Sequence, residues 1–236
     1  SSATGGYAAL RAGNGTVNMN VALENGKATG GLGKDVAIKG NLAAVKAGDQ
    51  TASAINLALD TAKSSLEGVS YMSEGNGQIN LWLQNGASWT NEVHGSAEKD
   101  WKGNSLFNGS HVTNFAGGAS DAKAGNIFQK DANSLTIDNY SGNTNIFYAH
   151  TGNGEAAENY AAGDTVIKHA AEGSVVSMIT DNSGIAMDNA YSVANVLNAL
   201  AGKLTYSNFV NGEKNLTGFV KIADGLTASS AALKTG

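Results

Sequence analysis

The sequence predicts an all-β fold assembled from many short strands, on three observations. Proline is absent while glycine reaches 31 of 236 residues, about twice its ordinary share. Asn-Gly and Gly-Asn pairs recur at Asn14-Gly15, Asn25-Gly26, Asn85-Gly86, Gly142-Asn143, Gly152-Asn153 and Asn211-Gly212. Between them, apolar and polar residues alternate in bursts of four to six. Glycine adopts positive φ without a Cβ penalty, and Asn and Asp bond back to their own backbone, so these pairs predict corners.

The predicted strands are, in order, Val17 to Val21, Ile79 to Leu83, Leu135 to Asp138, Val175 to Ile179 and Phe219 to Ile222. Each carries a period of two and predicts one face turned inward. Two segments depart from that period. Thr51 to Gly68 spaces Ile55, Ala58, Leu59, Ala62 and Leu66 as an amphipathic helix does, and Asp188 to Gly202 does the same with Val193, Val196, Leu197, Leu200 and, just beyond, Leu204. Asp49 or Thr51, and Asp188 or Asn189, are the expected N-caps; Gly68 and Gly202 are the expected left-handed stops. Each helix is expected to cover the flank of the strands with its apolar stripe.

The five apolar positions of the first segment map onto the second by adding 138, and Leu81, Leu83 and Gly86 match Val220, Ile222 and Gly225 at an offset of 139. A duplicated unit, a helix followed by a strand pair at about 51–90 and 188–229, is therefore expected. Embedded in a run of short strands, it predicts a quasi-one-dimensional stack spanning residues 1–236 as a single body, with roughly 20 to 25 residues per turn and about ten turns.

Composition narrows the function. The formal net charge is −5 and Arg11 is the only arginine. Nucleic-acid binding normally needs a basic patch, so no nucleic-acid partner is expected, and the same lack weakens any binding mode built on arginine clamps for phosphate or carboxylate. With no cysteine there is neither a disulfide nor a thiolate metal site. No apolar run reaches the ~20 residues of a membrane-crossing helix, so no membrane contact by this segment is expected.

The runs "NSLTIDNYSGNTNIFYAH", "SVVSMITDNSGIAMDNAYSVANVLNALAGKLTYS" and "VNGEKNLTGFVKIADGLTASSAALKTG" resemble the passenger regions of bacterial autotransporter adhesins of the type V secretion class. The resemblance covers chiefly residues 80–236 and implies a right-handed parallel β-helix displayed at the cell surface, outside the outer membrane of a diderm bacterium. It implies a non-enzymatic role in attachment or self-association. The partners would be a host or bacterial surface glycan or protein, or the same passenger. No signal sequence or membrane barrel is recognised, so an excised passenger fragment is expected, and lack of cysteine suits a chain exported unfolded.

Several motifs invite chemistry. "GGLGKDVAI", Gly30 to Ile38, fits the calcium-binding nonapeptide except that Ala37 takes the large apolar position; without a second copy it predicts a glycine turn before a strand. Gly163-Asp164-Thr165-Val166 approximates the Gly-Asp-Ser opening of a lipase family, with Thr165 where the nucleophile belongs. His94, His111, His150 and His169 are too far apart in sequence for a His-x-x-x-His face and are expected at the surface. Hydrolysis, part of the alternative function, needs paired carboxylates that 20 acidic residues could supply by accident, while lyase chemistry needs basic groups, typically arginine, of which only Arg11 is present. A passive stalk is the third reading. Trp82, Trp89, Trp101, Tyr148 and Tyr160 are candidates for sugar stacking where exposed, with at least half expected inside. Outward ladders of Asn, Thr and Ser would offer repeated hydrogen bonding along one face. No catalytic, cofactor-binding or metal residue is assigned, and no cofactor is expected.

The stretch Ser134 to His150 gathers Asp138, Tyr140, Tyr148 and His150. It predicts a strand from Leu135, a corner over Asn139 to Asn145 and a second strand from Ile146. That separates Asp138 and Tyr140 from Tyr148 and His150 and leaves the last two for surface contact.

Overall fold

The computed structural model describes residues 8–45, 52–73, 77–100, 102–155, 158–209, 214–223 and 227–229. The expected residues Asp49, Thr51, Trp101, Asn211, Gly212 and Gly225 lie outside them.

The chain is mainly β and makes successive passes. The first lays down β1 (Leu10–Gly13) and β2 (Thr16–Met19), a hairpin of β3 (Val21–Glu24) and β4 (Lys27–Gly31), and β5 (Ala37–Lys39). β6 (Leu42–Val45), β7 (Ser53–Leu59) and β8 (Ser65–Glu67) form the second pass; β9 (Ser70–Met72), β10 (Gly77–Leu83) and β11 (Ser88–Asn91) form the third. Later passes hold β12 (Ser110–Ala116) with β13 (Gly125–Gln129), β14 (Leu135–Ser141) with β15 (Asn143–Tyr148), and β16 (Thr165–Ala170) with β17 (Ser174–Thr180). Helix α1 (Ala190–Ala201) precedes β18 (Leu204–Tyr206), β19 (Leu216–Ile222) and β20 (Thr227–Ser229).

Each pass contributes to the same sheets. A seven-stranded sheet runs β18-β16-β14-β12-β10-β7-β2, an eight-stranded sheet runs β20-β19-β17-β15-β13-β11-β8-β5, and β1-β6-β9 make a third face beside the first passes. All pairs within these sheets are parallel except β19 with β20. Inward residues therefore stack like on like. Leu57, Leu81, Phe115 and Tyr140 pair in register up one sheet. Leu66, Trp89, Ile127, Ile146, Met178 and Val220 do so up the other, and all of these are buried. This burial is the main stabilisation of the fold.

Four of the five strands predicted by alternation form; the other, Val17 to Val21, breaks at Asn20 (φ 53°), leaving Val17 to Met19 in β2 and Val21 at the start of β3. The helix predicted over Thr51 to Gly68 does not form: that segment is β7, a corner and β8. Ile55, Leu57 and Leu59 face the core, while Asn56 and Ala58 on the other face are also buried, because the β3–β4 hairpin packs against β7. A strand covered on both faces loses its alternation and mimics helical spacing. The duplicated unit falls with it, since the first copy has no helix and its strand β10 lies in the seven-stranded sheet while β19 lies in the eight-stranded one.

The second helix forms as α1. Asn189 caps it, its Oδ1 accepting from the amides of Tyr191 and Ser192. Gly202 ends it in the right-handed region at φ −62°, not the left-handed one expected. Val193 and Val196 of its apolar stripe pack with Ile185 and Ile222. Paired residues on neighbouring passes are separated by 19 (Gly125 and Thr144) to 42 positions (Ser174 and Leu216). The regular 20 to 25 is thus stretched by the hairpin, by the connection after β11 and by α1, and the seven-stranded sheet records seven passes among the described residues in place of ten.

Candidate functional site

The outer face of the seven-stranded sheet carries a continuous row of side-chain amides. Asn56 Nδ2 donates to Asn18 Oδ1 at 2.7 Å, Asn80 to Asn56 at 2.7 Å, Asn114 to Asn80 at 2.6 Å and Asn139 to Asn114 at 3.0 Å. The register continues from Asn139 to His169, whose Nδ1 accepts from Asn208 Nδ2. Parallel in-register strands alone place identical groups at the ~4.7–4.9 Å spacing such a ladder needs. Each rung is the outward residue beside an inward apolar one, in Val17-Asn18-Met19, Ile55-Asn56-Leu57 and Ile79-Asn80-Leu81.

Two residues along, the next outward row reads Ala58, Trp82, Ala116, Ser141. Trp82 is half-buried among small neighbours, so its indole stands above them. On one side is a hollow of about 340 Å³ reaching His169 and Ala171; on the other, one of about 520 Å³ reaches Gly26, Lys27 and Ala28 of the hairpin. Trp82 and Asn114 line both. The hairpin wall depends on its turn, where Asn25 (φ 50°) and Gly26 (φ 77°) both take positive φ, as a two-residue hairpin corner requires.

A second, polar groove of about 660 Å³ lies between β9, β12 and the 105–109 segment. In it the Asp138 carboxylate faces the His111 imidazole, with Nε2 at 2.8 Å, and the Lys168 ammonium, with Nζ at 2.7 Å. Burial raises the Asp138 carboxyl pKa, but the hydrogen bonds from Lys168 and His111 outweigh it and hold it below the usual range. The carboxylate therefore stays ionised and orients the imidazole. Aligning Val112-Thr113-Asn114-Phe115, Ile137-Asp138-Asn139-Tyr140 and Ile167-Lys168-His169-Ala170 brings Asn114 over Asn139 and Asp138 over Lys168, with His111 one residue before the first segment; period-two reading strand by strand does not.

Compared with known proteins, the chain matches no family model, no curated protein and no solved structure.

The structure redistributes the sequence candidates. Gly30 to Ile38 runs from the end of β4 through a connection over residues 32–36 into β5; Gly33 donates its amide to Asp60 Oδ2 at 2.7 Å, and Asp35 accepts from Thr61 Oγ1 at 2.7 Å. Among the described residues no group of three His, Asp or Glu side chains is placed to hold a metal ion. Thr165 is fully buried at the start of β16, against the Tyr148 hydroxyl at 2.9 Å, so it cannot meet a substrate. Arg11 is engaged by Glu98 at 2.6 Å. Of the aromatics, Trp89, Tyr148 and Tyr160 are buried, and burial raises both tyrosine hydroxyl pKa values. Trp82 alone of the described candidates reaches the surface.

His94 and His111 are partly exposed and His169 is exposed, but His150 is not. Its side chain is 2% accessible, with Nδ1 2.7 Å from Glu158 Oε1 and Nε2 3.4 Å from Asp181 Oδ1. Tyr148 and His150 are therefore interior residues, which overturns their expected surface role. The corner predicted over Asn139 to Asn145 shrinks to Gly142 at φ 78°, between β14 and β15. A Cβ there would lie 2.7 Å from the Gly117 carbonyl oxygen, so the tight bend requires glycine.

Proposed function

We propose that this chain belongs to the passenger of an autotransporter adhesin, a right-handed parallel β-helix exposed outside the outer membrane. It mediates attachment or self-association without catalysing a reaction. The observation that supports this reading best is the run of parallel, in-register strands that presents one amide per pass from Asn18 to Asn139. Repeated identical groups on one face favour weak contacts that add up when many passengers engage together. The resemblance to adhesin passengers points the same way.

The test is surface display of the passenger on a diderm bacterium with and without this segment, scored by attachment and by cell aggregation. Loss of either on deletion is the expected result. Unchanged attachment and aggregation, with the remaining tip still displayed, would identify the segment as a passive stalk instead.

One observation favours a second reading, a β-helical carbohydrate-active enzyme: His111 is oriented by Asp138 in an open groove. Hydrolysis by two carboxyl groups needs them ~5–10 Å apart, and Asp138 is the one carboxylate among the described residues lining that groove. Release of reducing ends from polysaccharide by the purified chain, abolished by His111→Ala, would establish it.

A further inference from the structure

We propose that the trench divided by Trp82 binds an extended, uncharged glycan, with one sugar ring seated in the hollow between Trp82 and His169. The inference rests on the surface-binding reading above and names the ligand class of its outer face.

Shape comes first. Ala116 and Ser141 occupy the outward positions on the two passes beyond Trp82. Their small side chains leave the hollow of about 340 Å³, within the ~300–1,000 Å³ usual for ligand sites. The indole closes one end and the His169 imidazole lies at the other. A pyranose ring has an apolar C–H face that packs on an aromatic ring, and tryptophan offers the largest such platform.

Hydrogen-bonding capacity comes second. A carboxamide has two donor hydrogens and two acceptor lone pairs. Asn80 and Asn114 each use one hydrogen and one lone pair within the ladder. One donor and one acceptor remain on each, on two successive passes, whereas Asn139 also donates to the Thr113 carbonyl oxygen at 3.3 Å. A sugar hydroxyl is itself a donor and an acceptor, so hydroxyls along an extended chain meet two neighbouring amides with matching duality. The ladder also fixes each amide, so little side-chain freedom is lost on binding.

Charge comes third. Among the described residues, apart from the buried hydroxyl of Tyr140, the ionisable side chains lining the two hollows are Lys27 and His169, and no carboxylate lines either one. A polyanionic glycan would meet one ammonium at the far end and a polycationic one no counter-charge, so complementarity favours a neutral chain.

Calorimetric and tryptophan-fluorescence titrations of the purified chain with cellohexaose, xylohexaose and maltohexaose, and with polygalacturonate as the charged control, test this. Saturable binding of at least one neutral hexasaccharide is expected. Trp82→Ala, which removes the platform, should weaken it about tenfold or more. Ala116→Leu, which fills the hollow and leaves the indole, should weaken it comparably; circular dichroism and melting temperature establish that both variants fold. Failure of all three hexasaccharides to bind, binding indifferent to both substitutions, or binding of polygalacturonate alone would each overturn the proposal. So would a Trp82-dependent dimer in sedimentation without sugar binding, which would make the occupant a second copy of this chain. Because the titration uses purified protein, sugar binding without an effect in the display assay would leave this inference standing and remove the adhesin reading. The converse result would do the opposite.

Discussion

Asn114 donates a hydrogen to Asn80 Oδ1 at 2.6 Å and accepts one from Asn139 at 3.0 Å, so a single amide ties three passes of the chain together. Asn114→Ala removes both bonds from an exposed site and is expected to lower stability by about 1 kcal/mol. Asn114→Asp places a carboxylate against the Asn80 oxygen, two acceptors face to face, and should destabilise more than alanine at neutral pH. Denaturant titration of both variants at neutral and acid pH checks this, since protonation gives the carboxyl a donor and should recover part of the loss.

Two tryptophans seven positions apart should respond very unequally to truncation. Trp89 is fully buried and donates its indole N–H to the Gly68 carbonyl at 2.8 Å. Trp89→Ala is expected to cost about 3–5 kcal/mol, and Trp82→Ala, on the outer face, under about 1 kcal/mol. Equal losses in thermal or chemical denaturation would contradict the inside and outside assignments.

Asp138 sets part of the acid sensitivity. Its carboxyl pKa in the folded chain lies below its ordinary value, because the Lys168 and His111 hydrogen bonds outweigh burial. Its contribution to stability is therefore fully present above the ordinary carboxylate pKa of about 4 and disappears as the pH falls through the folded value. In melting curves recorded from about pH 5 down to about pH 2, Asp138→Asn should show a shallower decline than the parent chain. Parallel declines would remove the ion pairs from the account.

Gly31 makes room for Asp60. A Cβ on Gly31 would overlap Asp60 Oδ2, the oxygen that accepts the Gly33 amide. Asp60 Oδ1 accepts from Asn20 at 2.8 Å, so displacing the carboxylate releases the hairpin from β7. Gly31→Ala should cost about 1–3 kcal/mol. In Gly31→Ala with Asp60→Ala the two losses should sum to more than the double variant shows, as expected for direct contact.

The interior pair His150 and Glu158 offers a contrast between breaking and replacing. Their side chains are 2% and 0% accessible. Glu158→Ala leaves the imidazole without its nearest carboxylate and should cost about 1–3 kcal/mol, whereas His150→Leu with Glu158→Met should cost less than that single change. Chemical denaturation of the three proteins decides it, and a double variant less stable than Glu158→Ala would refute the idea.

The fold was legible where alternation was intact and obscured where it was not. Ile79 to Leu83 and Leu135 to Asp138 keep one face outward, so their period survives in the sequence. In β7 the hairpin buries Asn56 and Ala58, and a helix was the natural but wrong reading. The amide ladder was foreseeable as a type of surface but not residue by residue. Its rungs are separated by 38, 24, 34 and 25 positions, and irregular insertions hide the period. His111, Asp138 and Lys168 meet only once the register of β12, β14 and β16 is known. The burial of His150 carried no local signal, because its partners Glu158 and Asp181 come from a connection and from the end of the next pass.

Parallel register also makes the length of this chain adjustable. Ser110 pairs with Leu135 and Leu135 with Thr165, so position 135 and position 165 are equivalent docking points for β12. Excising residues 135–164 would remove one storey and leave the strands on either side with partners of the same kind. Growth or shrinkage by whole storeys thus needs no redesign of the core, only a cut at matching landings.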